Sequence, residues 1–325
     1  MTTYLVTGVA GFIASRVAAL LLDEGHEIVG LDNLNDAYDP RLKRWRLSQL
    51  EGRPGFTFHE ADITQRVELS AILAGHTFEA VFNLAARAGV RPSVQNPWIY
   101  IDTNMTGTLN MLELCRERGV QKFILASTSS LYGNNNPLPY REDYSTDHPL
   151  SPYAASKKAA ETICSTYHYL HGIDVTIFRY FTVYGPAGRP DMSPFRFMQR
   201  IAESEPITVF GDGSQERDFT YVDDIARGTI AGLRPVGYEI INLGSDTPIK
   251  LIDMIRAIEQ LVDNEAQIIY KPTHPADMPR TWADISKAER LLNWRPRETF
   301  TGGLRQMANW YAANREWAKD VSTID

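Results

Sequence analysis

The chain has 325 residues, of which 43% are hydrophobic and 22% charged, and a net charge of −7. That composition fits a globular protein with a large core and room for two lobes. No basic block occurs, so nucleic acid and anionic membrane surfaces are not expected as partners. The apolar run Val17 to Leu22 is bounded by Arg16 and Asp23, far short of a membrane span. Cys115 and Cys164 are the only cysteines. Both fall within helical patterns and read as free thiols of a reducing compartment. Met1-Thr2-Thr3 leads into a strand without the charged and apolar regions of a signal peptide, so a cytoplasmic protein is expected. His26, His59, His76, His148, His168 and His171 show no ligand spacing, and no metal is expected.

In chain order, Tyr4 to Thr7 is a short apolar run that stops at glycine, as a buried parallel strand does. Gly8-Val9-Ala10-Gly11-Phe12-Ile13-Ala14 then turns into a helix through about Glu24. Further strands are expected at Glu27 to Leu31, Phe56 to His59, Ala80 to Asn83, Lys122 to Ala126 and Asp174 to Phe178. Helical patterns lie between them. One starts at Asn96-Pro97, as cap and first helical residue, and stops at Gly119. This βαβ alternation predicts an α/β fold with a Rossmann-type doubly wound parallel sheet. Ligands of that fold sit at the carboxyl ends of the strands.

The glycine loop is the expected phosphate site, because a strand-to-helix turn leaves free N–H groups. Gly8 permits the tight turn, Gly11 lets backbone approach phosphate, and the small Ala14 allows close helix packing. Asp32 closes the second strand and suits a ribose diol. Its charge would repel a 2′-phosphate, so NAD is favoured over NADP.

Ser151-Pro152-Tyr153-Ala154-Ala155-Ser156-Lys157 reads as a capped helix start. Tyr153 and Lys157 are four apart and share one face. Lowering a phenol from about 10 to near 7 takes roughly 4 kcal/mol. A cation some 4 Å away in a partly shielded site supplies about that much. The pair is therefore expected to act as a phenolate base with Lys157 as its cation.

Taken together, these segments make the chain resemble the extended short-chain dehydrogenases/reductases, in their nucleotide-sugar epimerase/dehydratase branch. The resemblance rests on Gly8-x-x-Gly11-x-x-Ala14, Asp62-Ile63, Asn83-Leu84-Ala85-Ala86, Ser127 to Gly133, Tyr153-x-x-x-Lys157 and Arg217 to Asp224. It implies an NAD site built from Gly8, Gly11, Phe12, Ile13, Asp32, Asn33, Asp62, Ile63, Leu84, Ala85, Ala86, Asn104, Ser127, Tyr153, Lys157 and Tyr180. It also implies Thr128 beside the sugar C4 oxygen.

Narrower features are similar to the UDP-glucuronate 4-epimerases: Asn35 to Lys43, Ala88-Gly89-Val90-Arg91, and Arg179 to Met192. UDP-glucose epimerases usually carry asparagine where Thr182 stands. Arg87 replaces a commoner glutamine, and His274 stands near a position that is arginine in some glucose-type enzymes. The resemblance implies that Thr182 and Arg189 lie near the sugar carboxylate, Arg217 near the diphosphate, and Phe195 and Val209-Phe210 near the uridine. Arg91, Ser129 and Asp277 complete the implied substrate set. Tyr153, Lys157 and Thr128 are the implied catalytic residues. Ser129-Ser130 replaces the carboxylates that dehydratases carry after the threonine, so no dehydration is expected.

The implied organisation is an NAD-binding domain of residues 1–178 and 221–243 and a sugar-binding lobe of residues 179–220 and 244–325. A homodimer through the helices holding Asn104 to Cys115 and Ala154 to Tyr169 is implied too. The expected activity is NAD-dependent C4 inversion of a UDP-sugar, UDP-glucuronate to UDP-galacturonate foremost. A UDP-glucose 4-epimerase, a UDP-glucuronate decarboxylase and a non-enzymatic NAD-binding regulator are the competing readings.

Overall fold

A computed structural model describes residues 1–273 and 278–323. Asp277 and His274 therefore lie outside the described residues. The chain begins with β1 (Thr3–Thr7), α1 (Phe12–Asp23), β2 (Glu27–Asp32), α2 (Pro40–Ser48), β3 (Phe56–Glu60), α3 (Arg66–Ile72) and β4 (Ala80–Asn83). Next come α4 (Val90–Gln95), a short turn α5 (Trp98–Tyr100), a π-helical stretch (Ile101–Thr106) and α6 (Gly107–Arg118). Then follow β5 (Lys122–Thr128), α7 (Pro152–His171) and β6 (Asp174–Tyr180).

Beyond these, β7 (Thr182–Tyr184), α8 (Ser193–Ala202), β8 (Ile207–Phe210), β9 (Glu216–Tyr221), α9 (Val222–Ala231) and β10 (Tyr238–Leu243) continue the chain. It closes with β11 (Pro248–Lys250), α10 (Leu251–Val262), β12 (Ile268–Lys271), α11 (Ser286–Leu292) and α12 (Phe300–Ala318).

Seven strands form one parallel sheet in the order β10-β6-β5-β4-β1-β2-β3. The order reverses between β1 and β4, which is where a doubly wound sheet opens a crevice. Two small sheets, β11-β9-β7 and β12-β8, stand apart from it. The chain returns to the large sheet through α9, which packs on α1, and β10, which pairs with β6.

The buried faces explain this arrangement. β4 and β5 are buried throughout, as strands covered on both faces must be. One core lies on the side of α1, α9 and the later helices. The other holds Leu5, Val81, Leu112, Phe123, Cys115 and Cys164 under α6 and α7. Both cysteines are free and buried. No helix of the described residues is long and apolar enough to cross a membrane.

Two strand ends lie two residues beyond the sequence-based expectation. β5 runs to Thr128 and β6 to Tyr180, each two residues further than the apolar pattern, because Ser127↔Arg179 and Thr128↔Tyr180 continue the ladder. Their polar side chains are buried in partnered networks, so the pattern ends before the strand does.

The helix expected to start at Pro97 is broken up as well. Asn96 ends α4, Pro97 precedes the short turn, and a π stretch separates it from α6. Such wider turns gather at functional sites. Here Asn104 points inward and bonds the Arg87 backbone through both N–H and carbonyl. Gly119 ends α6 in the left-handed conformation, as expected.

Candidate active site

The turn from β1 to α1 needs its glycines. Gly8 has φ +71°, and a Cβ there would stand 2.8 Å from the Ala85 backbone. A Cβ on Gly11 would stand 2.7 Å from the Gly8 carbonyl, whose oxygen already accepts from Gly11 N–H. A cleft open to solvent runs from this turn along the strand ends. Gly8, Gly11, Asp32, Asn33, Asp62, Ile63, Leu84, Ala85 and Ala86 line it.

The cleft thus gathers nine of the residues expected to hold a dinucleotide. Asp32 accepts from Ala10 N–H at 3.2 Å and Leu34 N–H at 2.9 Å. Asn33 donates to Asp62 at 2.7 Å. Partial burial pushes the Asp62 carboxyl up, yet bonds from Thr64 and Asn33 and the nearby Arg87 charge hold it below its ordinary value. These features fit a dinucleotide: backbone free to approach phosphate, a carboxylate at the second strand, and an apolar floor of small residues.

Several expected cofactor residues are not among those that line this cleft. Asn104 is engaged by Arg87 and by Ser156 at 2.9 Å. Tyr180 hydrogen-bonds Thr229 at 2.8 Å, on the α9 side of the sheet. Phe12 is buried and Ile13 packs beside it. Ser127 donates to Glu161 at 2.6 Å, and Glu161 is forked by Arg179 at 3.0 and 2.8 Å.

Residues that the sequence did not assign to the cofactor also line the cleft, Asn35, Tyr38 and Lys43 among them. Lys43 Nζ lies 3.5 Å from Asp32, with both side chains buried, and donates to Asn35 at 3.1 Å. A lysine four residues past Asp39, which caps α2, was the available signal.

Ser151 caps α7, accepting from Ala154 N–H at 3.2 Å, with Pro152 in the first turn. This start aims Tyr153 and Lys157 at the end of β5. Lys157 Nζ donates to Ala126 O at 2.7 Å. Burial lowers the Lys157 ammonium to about 8, against an upward pull from Glu161 and Cys164. Burial raises the Tyr153 phenol, and the side chain of Thr128 and the charge of Arg189 oppose that.

One of the three N–H donors of Lys157 is engaged by the carbonyl of Ala126. In the cofactor-free chain burial holds the Tyr153 phenol above its ordinary value, and the charge that opposes this is that of Arg189.

Arg189 forks onto Asp191 at 3.0 and 2.5 Å and reaches Ala88 O at 3.4 Å. Burial disfavours its charge, but Asp191 keeps it firmly protonated. Its side chain is 24% exposed, so it is neither a solvated loop arginine nor sealed off. Thr182 is half-buried at the start of β7, and Ser129 opens the turn after Thr128. Thr128 Oγ1 donates to Ser130 Oγ at 3.2 Å.

Arg91 stacks over the Phe210 ring at 4.2 Å. Arg217 donates to Glu216 O at 2.9 Å, and its charge reaches Tyr140. Phe195 and Val209 are buried in the main core. The neighbour of Val209, Phe210, is the residue of that strand that meets Arg91. No cluster of metal-ligating side chains occurs among the described residues.

The geometry can be set beside known proteins. Residues 4–244 match the model of the NAD dependent epimerase/dehydratase family. A UDP-glucuronate 4-epimerase of Thermodesulfobacterium geofontis is 55% identical over 322 residues, covering 99% of both chains. UDP-glucuronate 4-epimerase 4 of Arabidopsis thaliana is 40% identical, covering 95% of this chain and 75% of that one. The structure of UDP-glucuronic acid 4-epimerase from Bacillus cereus, with UDP-glucuronic acid and NAD, superposes with a TM-score of 0.90 at 37% identity. The match covers 96% of this chain and 99% of that one. UDP-glucose 4-epimerase of Thermotoga maritima, with UDP-glucose, gives 0.89 at 30% identity over 96% and 99% of the chains. A cleft with these glycines and this carboxylate, matched over most of its length, means that the chain belongs to the NAD dependent epimerase/dehydratase family.

Proposed function

We propose that this chain inverts C4 of UDP-glucuronate to give UDP-galacturonate, with NAD as cofactor. The observation that carries the reading is the convergence of Tyr153, Thr128 and Arg189: the phenol responds both to the Thr128 side chain and to the Arg189 charge. A base for a sugar hydroxyl thus stands near a guanidinium that can receive a carboxylate. The relatives named above support the choice of sugar.

Gly8, Gly11, Asp32, Asn33 and Asp62 hold the dinucleotide in this proposal, with Leu84 to Ala86 under it. When bound, NAD accepts and returns the C4 hydride, so that C4 is a carbonyl in between. Tyr153 takes the proton from the 4-hydroxyl and gives it back. Thr128 bonds the same oxygen and keeps it aimed at the phenol. Lys157, anchored on Ala126, holds a ribose hydroxyl in place.

A 4-keto uronate is a β-keto acid and loses carbon dioxide when its C5–carboxylate bond aligns with the carbonyl π system. Arg189 and Thr182 hold the carboxylate out of that alignment. A guanidinium suits the task, because it makes a planar two-bonded contact. Arg217, Arg91 and Ser129 serve the rest of the nucleotide sugar.

The proposed division is an NAD-binding domain of residues 1–178 and 221–243 with a sugar lobe from the remainder. We also propose a cytoplasmic homodimer. Leu109 on α6 and Tyr169 and Leu170 on α7 are 37%, 86% and 60% exposed, which supports pairing through those helices.

The test is a panel of UDP-sugars with the NAD-loaded protein, with products read by NMR. UDP-galacturonate from UDP-glucuronate is expected. A pentose or a 4-keto-6-deoxy sugar as the main product, or turnover of UDP-glucose alone, would overturn the reading.

A further inference from the structure

Helix α2 carries two buried cations three residues apart, Lys43 and Arg46, and residues so spaced share a face. Lys43 serves the cofactor cleft beside Asp32. Arg46 spans to a different part of the chain. Its Nε and Nη2 donate to Ala187 O at 2.9 and 2.6 Å, and Nη2 also donates to Gly188 O at 3.1 Å. Its Nη1 donates to Tyr38 Oη at 2.7 Å and to Ala10 O at 3.3 Å. The guanidinium lies 5.6 Å from the Phe12 ring centre and 5.4 Å from that of Tyr38.

Arg46 is only 3% exposed, and among the described residues it has no carboxylate partner. Burying a charge this way is costly, and a neutral side chain would fill the space at less expense. What the charge obtains is a grip on three carbonyls from two separate segments. Two of these, Ala187 and Gly188, immediately precede Arg189. Ala187 has φ +51°, a conformation that a residue with a Cβ holds only when its surroundings impose it. The third carbonyl, Ala10, belongs to the glycine turn of the cofactor cleft.

We propose that Arg46 is a positioning residue for uronate recognition: it clamps the Ala187–Gly188 backbone against the cofactor turn and thereby sets Arg189 for the substrate carboxylate. The inference rests on the reading that Arg189 meets that carboxylate, and deepens it. Arg46 touches no substrate atom in this account. It works through the placement of Arg189.

The test is a double-mutant cycle in binding, measured by calorimetry on the NAD-loaded protein with UDP-glucuronate, UDP-glucose and UDP. The variants are Arg46→Lys, Arg189→Ala and the pair. Lysine keeps the charge and loses the fork. Arg46→Lys is expected to raise the Kd of UDP-glucuronate roughly tenfold, and those of UDP-glucose and UDP by less than about threefold. In the Arg189→Ala background, the same change is expected to shift the UDP-glucuronate Kd by less than about twofold.

Equal weakening of all three ligands, or effects that multiply in the double variant, would show Arg46 to be a general packing element and overturn the proposal. Tyr38→Phe, which removes one acceptor from Arg46 without touching its charge, gives a second reading should Arg46→Lys fail to fold. A selective, smaller rise in the UDP-glucuronate Kd is expected from it, and an unselective one or none counts against. If Arg189→Ala itself treats both sugars alike, the uronate reading and this inference fall together. If Arg189→Ala is selective and Arg46→Lys is not, only this inference falls.

Discussion

Lys157 donates to the carbonyl of Ala126 at 2.7 Å, across from the helix start that carries Tyr153. The ammonium is 3% exposed, and its nearest carboxylate along α7 is Glu161, itself committed to Arg179 and Ser127. Lys157 is therefore a buried cation held by a carbonyl, and it costs the cofactor-free protein stability while it is charged.

That cost has a direction in pH. An ordinary lysine titrates at 10.5 and Lys157 at about 8, so below about 8 both folded and unfolded chains are protonated and the full penalty applies. Between about 8 and 10.5 the unfolded chain binds more protons, so stability rises with pH. Relative to Lys157→Met, the wild type should gain about 2 kcal/mol between about pH 7.5 and 9.5. Urea unfolding of the cofactor-free proteins at both pH values checks this. A difference that stays flat, or falls, would contradict a depressed Lys157.

Much of this architecture was legible beforehand, and the misses have physical causes. The glycine turn, Asp32 and the α7 cap are local chemistry, so they read directly from adjacent residues. The two-residue extensions of β5 and β6 were hidden because Ser127, Arg179 and Tyr180 are polar residues satisfied by distant partners, and Thr128 bonds the turn that follows it. Arg46 was hidden for the same reason: its partners are backbone carbonyls 36 and 141 residues away. The Ala126 carbonyl that Lys157 meets was hidden too, because helical spacing fixes which face a side chain shares, not which acceptor it finds.

Asp32 is expected to set the preference for NAD. Its carboxylate occupies the end of β2 with Lys43 only 3.5 Å away. Asp32→Asn removes the repulsion toward a 2′-phosphate and releases the Lys43 charge. The variant should bind NAD about tenfold more weakly and NADP more tightly than the wild type, by titration of the cofactor-free protein. Equal affinity of the wild type for both dinucleotides would count against this assignment.

Tyr153→Phe should lose nearly all turnover and retain NAD. A general base is worth about 10² to 10⁴ in rate. Because burial holds this phenol above its ordinary value, activity should rise with pH through the neutral range and climb further on the alkaline side. Activity above about a tenth of wild type in the Phe variant would remove Tyr153 from the role of base.

The central claim is that Arg189 reads the sugar carboxylate. In the structure the same guanidinium is forked by Asp191, so Arg189→Ala both removes a receptor and leaves a bare carboxylate near the substrate's own. Losing a charge-assisted contact costs about 1.5–3 kcal/mol, or roughly one to two decades in selectivity. The decisive measurement is steady-state kinetics of wild type and Arg189→Ala with UDP-glucuronate and UDP-glucose, with products identified by NMR. In the variant, kcat/KM for UDP-glucuronate is expected to fall at least tenfold more than that for UDP-glucose, with some flux diverted to a UDP-pentose. A wild type that prefers UDP-glucose, or a variant that handles the two sugars in the wild-type ratio, would contradict it.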